Sequence, residues 1–158
     1  MASTYIQVQT SDFDIGHETA LMRDPDGRVG AIATFTGLVR DLHDASLPGD
    51  GLQEMFLEHY PGMTEKSLQR IVDQARERWE LIDVRIIHRV GSLRPCDQIV
   101  FVATSSAHRV DSFAACQFIM DYLKKDAPFW KKEKTSRQDH WVEQKDTDLE
   151  AADKWKDK

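Results

Sequence analysis

The sequence predicts a single α+β domain in which a mostly antiparallel sheet packs with helices. Several short stretches show strand-like alternation or are rich in β-branched residues, and longer stretches place apolar residues at helical spacing. These elements follow one another without the regular strand-helix alternation that parallel α/β folds require. At 158 residues, the chain is long enough to bury its own core.

The first elements are short. Residues 5–8 alternate enough to predict a strand, and residues 14–22 predict a helix capped by Asp12 or Asp14. Residues 24–27, Asp-Pro-Asp-Gly, indicate a turn because proline presets one backbone torsion and glycine accepts a positive one.

A second strand is predicted over residues 29–39, and it ends at Arg40. Residues 41–51 are polar and aperiodic, which indicates a mobile loop, and residues 52–60 predict the next strand. We expect these two strands to form a hairpin with a long tip. Arg40 is then a candidate anion-binding residue; the alternative is an ordinary surface charge.

The middle of the chain is predicted to form structural elements rather than a functional site. Residues 64–79 form the clearest amphipathic helix, with Thr64 as N-cap. Residues 83–90 and 98–104 predict strands on either side of a turn region. His88 falls on the alternating apolar face of the first of these strands and is interpreted as a partly buried histidine with satisfied hydrogen bonds.

The central helix begins near Asp111 and is mostly buried. One broad apolar face consists of Phe113, Cys116, Ile119, Met120 and Leu123. Pro128 disfavours helical geometry at the residue before it, so the helix ends there and residues 129–134 continue as extended chain.

Lys124 and Lys131 lie on either side of this break, so the chain can fold back and bring them together. Two ammonium groups about 6 to 8 Å apart repel by roughly 2 to 3 kcal/mol at an effective dielectric constant near 20. One lysine could then exchange a proton near neutral pH. The alternative is that these lysines form a solvated charged rim.

His108 and Arg109 stand where a predicted strand leads into the central helix. Backbone N–H groups at a helix N-terminus favour a phosphate or carboxylate, and these two side chains add donors. Ordinary helix capping is the alternative. Residues 140–145 predict a last strand, and we divide the chain into a domain of residues 1–146 and a charged tail of residues 147–158 outside the core.

Composition excludes several classes of function. The net charge of −6 and the pI near 5.5 argue against a nucleic-acid binder. No signal peptide or membrane-spanning segment is predicted. Cys96 and Cys116 are expected to be free thiols in a reducing cytoplasm, and neither has the neighbours that a metal site needs.

Five segments, in order along the chain, resemble one family, the large catalytic subunit of molybdopterin synthase. They are TFTGLVR at residues 34–40, LEHYPGMTEKSL at 57–68, IHRVGSL at 87–93, SSAHR at 105–109 and FIMDYLKKDAPFWKKE at 118–133. The resemblance covers nearly the whole chain and implies a fold of the α/β-hammerhead type.

The resemblance implies a sulfurtransferase that needs no cofactor of its own. Family members convert cyclic pyranopterin monophosphate into molybdopterin by installing a dithiolene. The sulfur comes from a thiocarboxylate at the Gly-Gly end of a small ubiquitin-like sulfur-carrier subunit. The family assembles as a heterotetramer, in which a homodimer of the large subunit carries one small subunit at each end.

The resemblance also implies roles for residues. Lys124 matches a lysine that transfers protons and contacts the partner's carboxyl terminus, and Lys131 matches one that binds substrate or stabilises charge. Arg40, His108 and Arg109 match the group expected to hold the substrate phosphate, in part across the dimer.

Three further positions carry implied roles. Phe35 and Met120 match residues that line the pocket. Lys145 matches a substrate-binding position where close relatives can have arginine, so the charge is retained and the bidentate geometry is lost.

Two other functions remain open at the level of sequence. The chain could be a non-catalytic scaffold that binds the sulfur-carrier subunit. The basic and aromatic segment FWKKEK could instead grip single-stranded RNA, against which the acidic total charge argues.

Overall fold

A computed structural model describes residues 2–41, 52–135, 139–142 and 146–156. The predicted α+β class is confirmed, since two four-stranded sheets pack with helices. The strands are β1 (Ser3–Gln9), β2 (Ala31–Leu38), β3 (Leu52–His59), β4 (Asp83–Arg89), β5 (Gly91–Leu93), β6 (Gln98–Ser106), β7 (Phe129–Thr135) and β8 (Asp139–Val142). The helices are α1 (Ile15–Ala20), α2 (Met63–Arg78), α3 (Arg109–Asp126) and α4 (Asp146–Asp153).

The first sheet has the strand order β1-β4-β6-β2. β1 runs parallel to β4, and the other two pairs are antiparallel. The second sheet has the order β5-β3-β7-β8 and is antiparallel throughout. The prediction of a mostly antiparallel arrangement is therefore confirmed.

The predicted hairpin between β2 and β3 is wrong. β2 pairs with β6 in the first sheet, whereas β3 pairs with β5 and β7 in the second. Adjacent strands form a hairpin reliably when a short turn joins them, and here the connection is long enough to lead from one sheet to the other. Most of that connection, residues 42–51, lies outside the described residues.

Both faces of the first sheet are covered. α2 and α3 pack on one face through a cluster that includes Leu68 and Val72 of α2 and Phe118 and Ile119 of α3. The segment around α1 covers the other face, where Met22 packs with buried side chains of β4 and β6. Asp14 caps α1 by accepting a hydrogen bond from the His17 amide at 3.0 Å. Of the two predicted N-cap residues, Asp12 and Asp14, the structure therefore has Asp14.

α2 begins one residue earlier than predicted, and Thr64 has another role. Gly62 occupies the N-cap position with φ of 84°, a left-handed conformation that glycine adopts without strain. The Thr64 hydroxyl accepts a hydrogen bond from the Tyr60 amide and donates one to the Pro128 carbonyl, both at 3.1 Å. This buried threonine therefore ties the start of α2 to the break after α3.

That break lies where the sequence predicts it. Ala127 is extended, with φ of −75° and ψ of 129°, because Pro128 disfavours the helical region for the residue before it. Phe129 then enters β7, whose partner is β3. The chain thus reverses from a helix on the first sheet into the middle of the second.

The C-terminal segment packs more closely than predicted. Trp155 is only 8% exposed and belongs to the main core cluster, with its ring edge-on to Trp79 and Phe118. Its Nε1 donates to Asp121 of α3 at 2.8 Å. The expectation that the tail lies outside the core is wrong for this residue, because one large apolar side chain outweighs the charge around it. Among the described residues, no helix is long and apolar enough to cross a membrane.

Candidate functional site

A cavity of about 730 Å³ lies where the C-terminal end of α3 meets the second sheet. Its walls combine an apolar floor with lysines and aromatic rings, the composition typical of a site that binds a small polar ligand or a peptide end. The lining residues are Met55, Leu57, His88, Ile99, Leu123, Lys124, Lys125, Asp126, Ala127, Pro128, Phe129, Trp130, Lys131, Trp141 and Asp148.

The helix break brings Lys124 and Lys131 to this one cavity. Lys124 lies in the last turn of α3, and Lys131 lies on β7 opposite Leu57 of β3. Phe129 and Lys131 point to the same face of β7 because side chains alternate along a strand. The prediction that the fold brings these two lysines together therefore agrees with the structure.

The cavity carries charges of both signs. Lys124, Lys125 and Lys131 line it together with Asp126 and Asp148, which leaves one positive charge in excess. Asp148 comes from α4, so the C-terminal segment contributes directly to the wall. Such a site attracts an anionic group and still offers groups of both signs for proton exchange.

His88 forms part of the floor and is buried. Its ring stacks on Phe129 with centroids 3.8 Å apart and an interplanar angle of 17°. Burial lowers the pKa of His88 to about 3; the hydrogen bond to the Arg89 carbonyl opposes this shift, and the positive charge of Lys124 and the nearby His59 reinforce it. The imidazole is therefore neutral at physiological pH.

Arg40 lies at the same end of the first sheet as the cavity. It follows Val39, which packs with Met55 and Leu57 of the cavity wall. Arg40 itself is exposed and does not line the cavity. The structure thus places this candidate anion-binding residue outside the cavity, next to a residue that packs against the cavity wall.

His108 and Arg109 lie at the opposite end of α3 from Lys124. With a rise of 1.5 Å per residue, the 15 residues between Arg109 and Lys124 correspond to about 22 Å. Both side chains at the helix start are exposed, and His108, the N-cap residue, makes no capping hydrogen bond through its side chain. A single chain therefore does not bring them to the cavity.

The two predicted pocket-lining residues also lie outside this cavity. Phe35, on the edge strand β2, is 42% exposed, which is unusual for a large aromatic ring on an otherwise packed sheet face. Met120 is buried in the α3 core cluster. Lys145 lies outside the described residues. Within the part of the chain that the structure describes, no group of three or more metal-ligating side chains is found.

Sequence reasoning does not place His88 and Asp148 in the site, although both line the cavity. The strand pattern shows His88 only as a polar residue on an apolar face; the histidine is buried and hydrogen-bonded as expected, and it also lines the cavity. The available signal was its place in the segment IHRVGSL, which carries the family resemblance. Asp148 belongs to the predicted charged tail, and no local sequence pattern indicates that α4 lies at the cavity.

Comparisons with known proteins agree on one family. The MoaE protein family matches residues 8–126. The chain is 57% identical over 150 residues to a molybdopterin synthase catalytic subunit from Ralstonia nicotianae, covering 95% of this chain and 83% of the relative. It is 52% identical over 155 residues to the molybdopterin synthase catalytic subunit of Escherichia coli, covering 98% and 100%.

Solved structures are similar over the same length. The fold resembles that of the MoaE protein from Burkholderia ambifaria, with a TM-score of 0.80, 51% identity and 98% of each chain covered. It also resembles molybdopterin synthase from Staphylococcus aureus, with a TM-score of 0.77, 29% identity, and 86% of this chain and 95% of that chain covered.

Proposed function

The chain belongs to the MoaE protein family of molybdopterin synthase catalytic subunits, and on that premise we propose which role each site residue has in sulfur transfer. It is a sulfurtransferase of molybdenum cofactor biosynthesis. The sulfur passes from the C-terminal thiocarboxylate of a small ubiquitin-like subunit to cyclic pyranopterin monophosphate. In each of the two transfers that a dithiolene needs, the donor's sulfur forms a bond to a precursor carbon and a carbon–oxygen bond at that carbon breaks. Water then attacks the donor's acyl carbon, the acyl carbon–sulfur bond breaks, and the donor is released as a carboxylate.

The observation that carries the proposal is the meeting of Lys124 and Lys131 in one cavity at the end of α3. Sulfur attack requires proton transfers and the stabilisation of anionic oxygen, and a lysine in a partly enclosed site can do both. We assign proton transfer and contact with the donor's carboxyl terminus to Lys124. Lys131 binds the substrate and stabilises developing negative charge.

The anion-binding group is distributed over two copies of the chain. Arg40 lies at the cavity end of the first sheet and can reach a phosphate bound there. His108 and Arg109, about 22 Å away along α3, serve the cavity of the second copy in the homodimer. The exposed ring of Phe35 on edge strand β2 supports an interface at this edge.

The remaining assignments follow the family. Phe35 lines the substrate pocket that the two copies of the chain form together, and Met120 supports the wall of this pocket from within α3. Lys145 adds a positive charge to the substrate site. The complete assembly is a heterotetramer of two large and two small subunits, and the relatives' designation as catalytic subunits supports a companion chain. Two free thiols, Cys96 and Cys116, support a cytoplasmic location.

A single-turnover assay tests the lysine assignments. The purified chain is mixed with thiocarboxylated small subunit and precursor, and molybdopterin is measured as its fluorescent oxidised derivative. We expect Lys124→Ala to abolish product formation and Lys131→Ala to slow it by about 10²-fold or more, because each removes charge stabilisation or proton transfer at the reacting groups.

The matched control is Lys66→Ala, because Lys66 is an exposed lysine of α2 that does not line the cavity. We expect this variant to retain the wild-type rate. Near-normal turnover by a folded Lys124→Ala variant would reject the assignment. Absence of product from the wild-type chain, with the small subunit bound, would favour the non-catalytic scaffold.

A further inference from the structure

The ring of His88 is held in one orientation. Phe129 stacks on it at 3.8 Å, and the Nδ1 atom lies 2.8 Å from the Arg89 carbonyl oxygen. A carbonyl oxygen can only accept a hydrogen bond, so Nδ1 carries the proton. The unprotonated nitrogen of the neutral ring is therefore Nε2, whose lone pair is available as an acceptor.

The Nε2 atom faces the cavity. Among the described residues, every fully enclosed side-chain nitrogen or oxygen has a hydrogen-bond partner. The hydrogen bond of His88 is made through Nδ1, and the ring lines the cavity. Nε2 is thus the polar atom with which His88 can contact a ligand that enters the cavity.

Lys124 lines the same cavity as His88, from the C-terminal end of α3. Its positive charge contributes to lowering the pKa of His88, which places the two groups within electrostatic range across the cavity. The other charged or titratable groups around the ring are His59 of β3, which also lowers this pKa, and four residues of the cavity wall: Lys125, Asp126, Lys131 and Asp148. A neutral imidazole therefore lines a cavity whose other charged groups are lysines and aspartates.

We propose that His88 is a positioning residue for sulfur transfer, whose Nε2 accepts a hydrogen bond from the ε-amino group of Lys124 in the loaded site and aims that group at the donor's carboxyl terminus. This inference rests on the proposed role of Lys124. A carboxylate at this position would form an ion pair and hold the lysine in its charged form. A neutral acceptor orients the amino group without adding a countercharge.

Three substitutions of His88 separate this role from a packing role. His88→Phe keeps the stack on Phe129 and removes both nitrogens. His88→Asn retains a donor near the position of Nδ1 but has no acceptor at the reach of Nε2. His88→Gln places an amide oxygen at about that reach. Each variant is checked for folding by circular dichroism and for affinity toward the small subunit by calorimetry.

We expect His88→Phe and His88→Asn to fold and to bind the small subunit as the wild type does, and to form product about 10- to 100-fold more slowly, because a misdirected reacting group costs rate rather than binding. His88→Gln should recover much of the rate. Loss of the hydrogen bond to the ammonium form should also move the limb of the pH–rate profile that reports Lys124 to lower pH, by about 0.5 to 1 unit.

Two results would overturn the inference while leaving the proposed function intact, provided that Lys124→Ala is inactive in the same assay. One is a wild-type rate in His88→Phe. The other is an equal loss of rate in all three variants with an unshifted pH profile, which would mean that the ring only supports the fold. Full turnover by Lys124→Ala would instead reject the role of Lys124, and the inference with it.

Discussion

His88 makes the stability of the fold depend on pH. Burial lowers its pKa to about 3, from 6.5 in the unfolded chain. Between these values the unfolded chain binds more protons, so stability is fully present above pH 6.5 and falls as the pH is lowered toward 3. The slope approaches 1.4 kcal/mol per pH unit, so the wild type should lose roughly 2 kcal/mol between pH 7 and pH 5.

Urea unfolding at pH 7 and pH 5 measures this loss, and His88→Phe is the comparison. The variant lacks the titrating group and should show a smaller difference between the two pH values by about the same 2 kcal/mol. An identical pH dependence in both proteins would contradict the prediction. Aspartates whose pKa is lowered from 3.8 by hydrogen bonds lose their contribution only below this window; they are Asp12, Asp24 and Asp153.

At the scale of residues, the sequence predicts that Lys124 and Lys131 lie in one site, but it does not predict that His88 lies there too. Lys124 and Lys131 flank a proline whose effect on the backbone is local, so their meeting could be reasoned from the chain alone. The depressed pKa of His88 depends on burial, on Lys124 and on His59, which are brought together only by three separate elements. Phe113, expected on the buried face of α3, is 67% exposed because it lies on the side of the helix that carries the exposed Gln117 and Lys124.

Among the elements, α4 and the residues after it should contribute strongly to stability through Trp155. Replacing this side chain by alanine removes the edge-on contacts with Trp79 and Phe118 and the hydrogen bond to Asp121. We expect Trp155→Ala to lower the free energy of unfolding by about 3 to 5 kcal/mol, the range for large aromatic truncations in a core. Denaturant unfolding followed by far-ultraviolet circular dichroism measures the change.

Trp141→Ala is the matched control for this change, because Trp141 is 55% exposed. Its loss should cost less than about 1 kcal/mol. Equal stabilities of the two variants would mean that the packing of the C-terminal segment adds little to the fold. A partial effect in Trp155→Phe would separate the hydrogen bond to Asp121 from the packing of the ring.

The elements themselves could be located from local patterns, but their pairing could not. The ends of α3 and the start of β7 follow from helical spacing and from Pro128. β2 pairs with β6, whose paired residues lie at least 60 positions away in sequence, and β3 pairs with β5 and β7, whose paired residues lie at least 34 and 70 positions away. Nothing within either strand specifies a distant partner, so adjacency in the chain wrongly favoured a hairpin.

On the scale of the whole molecule, the separation of Arg109 from Lys124 predicts complementation between inactive chains. Co-expressed Lys124→Ala and Arg109→Ala chains with different tags can be purified as hybrid dimers. One of the two sites in such a dimer then combines an intact Lys124 with an intact Arg109 from the other copy. We expect about half of the wild-type activity from the hybrid, because one site in two is complete.

Each variant dimer alone should be inactive in the same assay. An inactive hybrid would show that both residues act within one chain, which would contradict the distribution of the anion-binding group over two copies. A hybrid of Lys124→Ala with Lys131→Ala is the control. These residues line one cavity within a chain, so neither site of that hybrid is complete.

The tryptophans divide into two groups with different surroundings. Trp79 and Trp155 lie in a largely buried aromatic cluster, with ring centroids 5.7 Å apart, whereas Trp130 and Trp141 line the cavity and are exposed. The intrinsic fluorescence of the chain therefore combines a blue-shifted component from the core with a red-shifted component from the cavity rim. A soluble quencher such as iodide reaches only the second component. The entry of a peptide tail can thus be followed in the unlabelled protein as protection of the quenchable emission, while the core emission reports independently that the fold is intact.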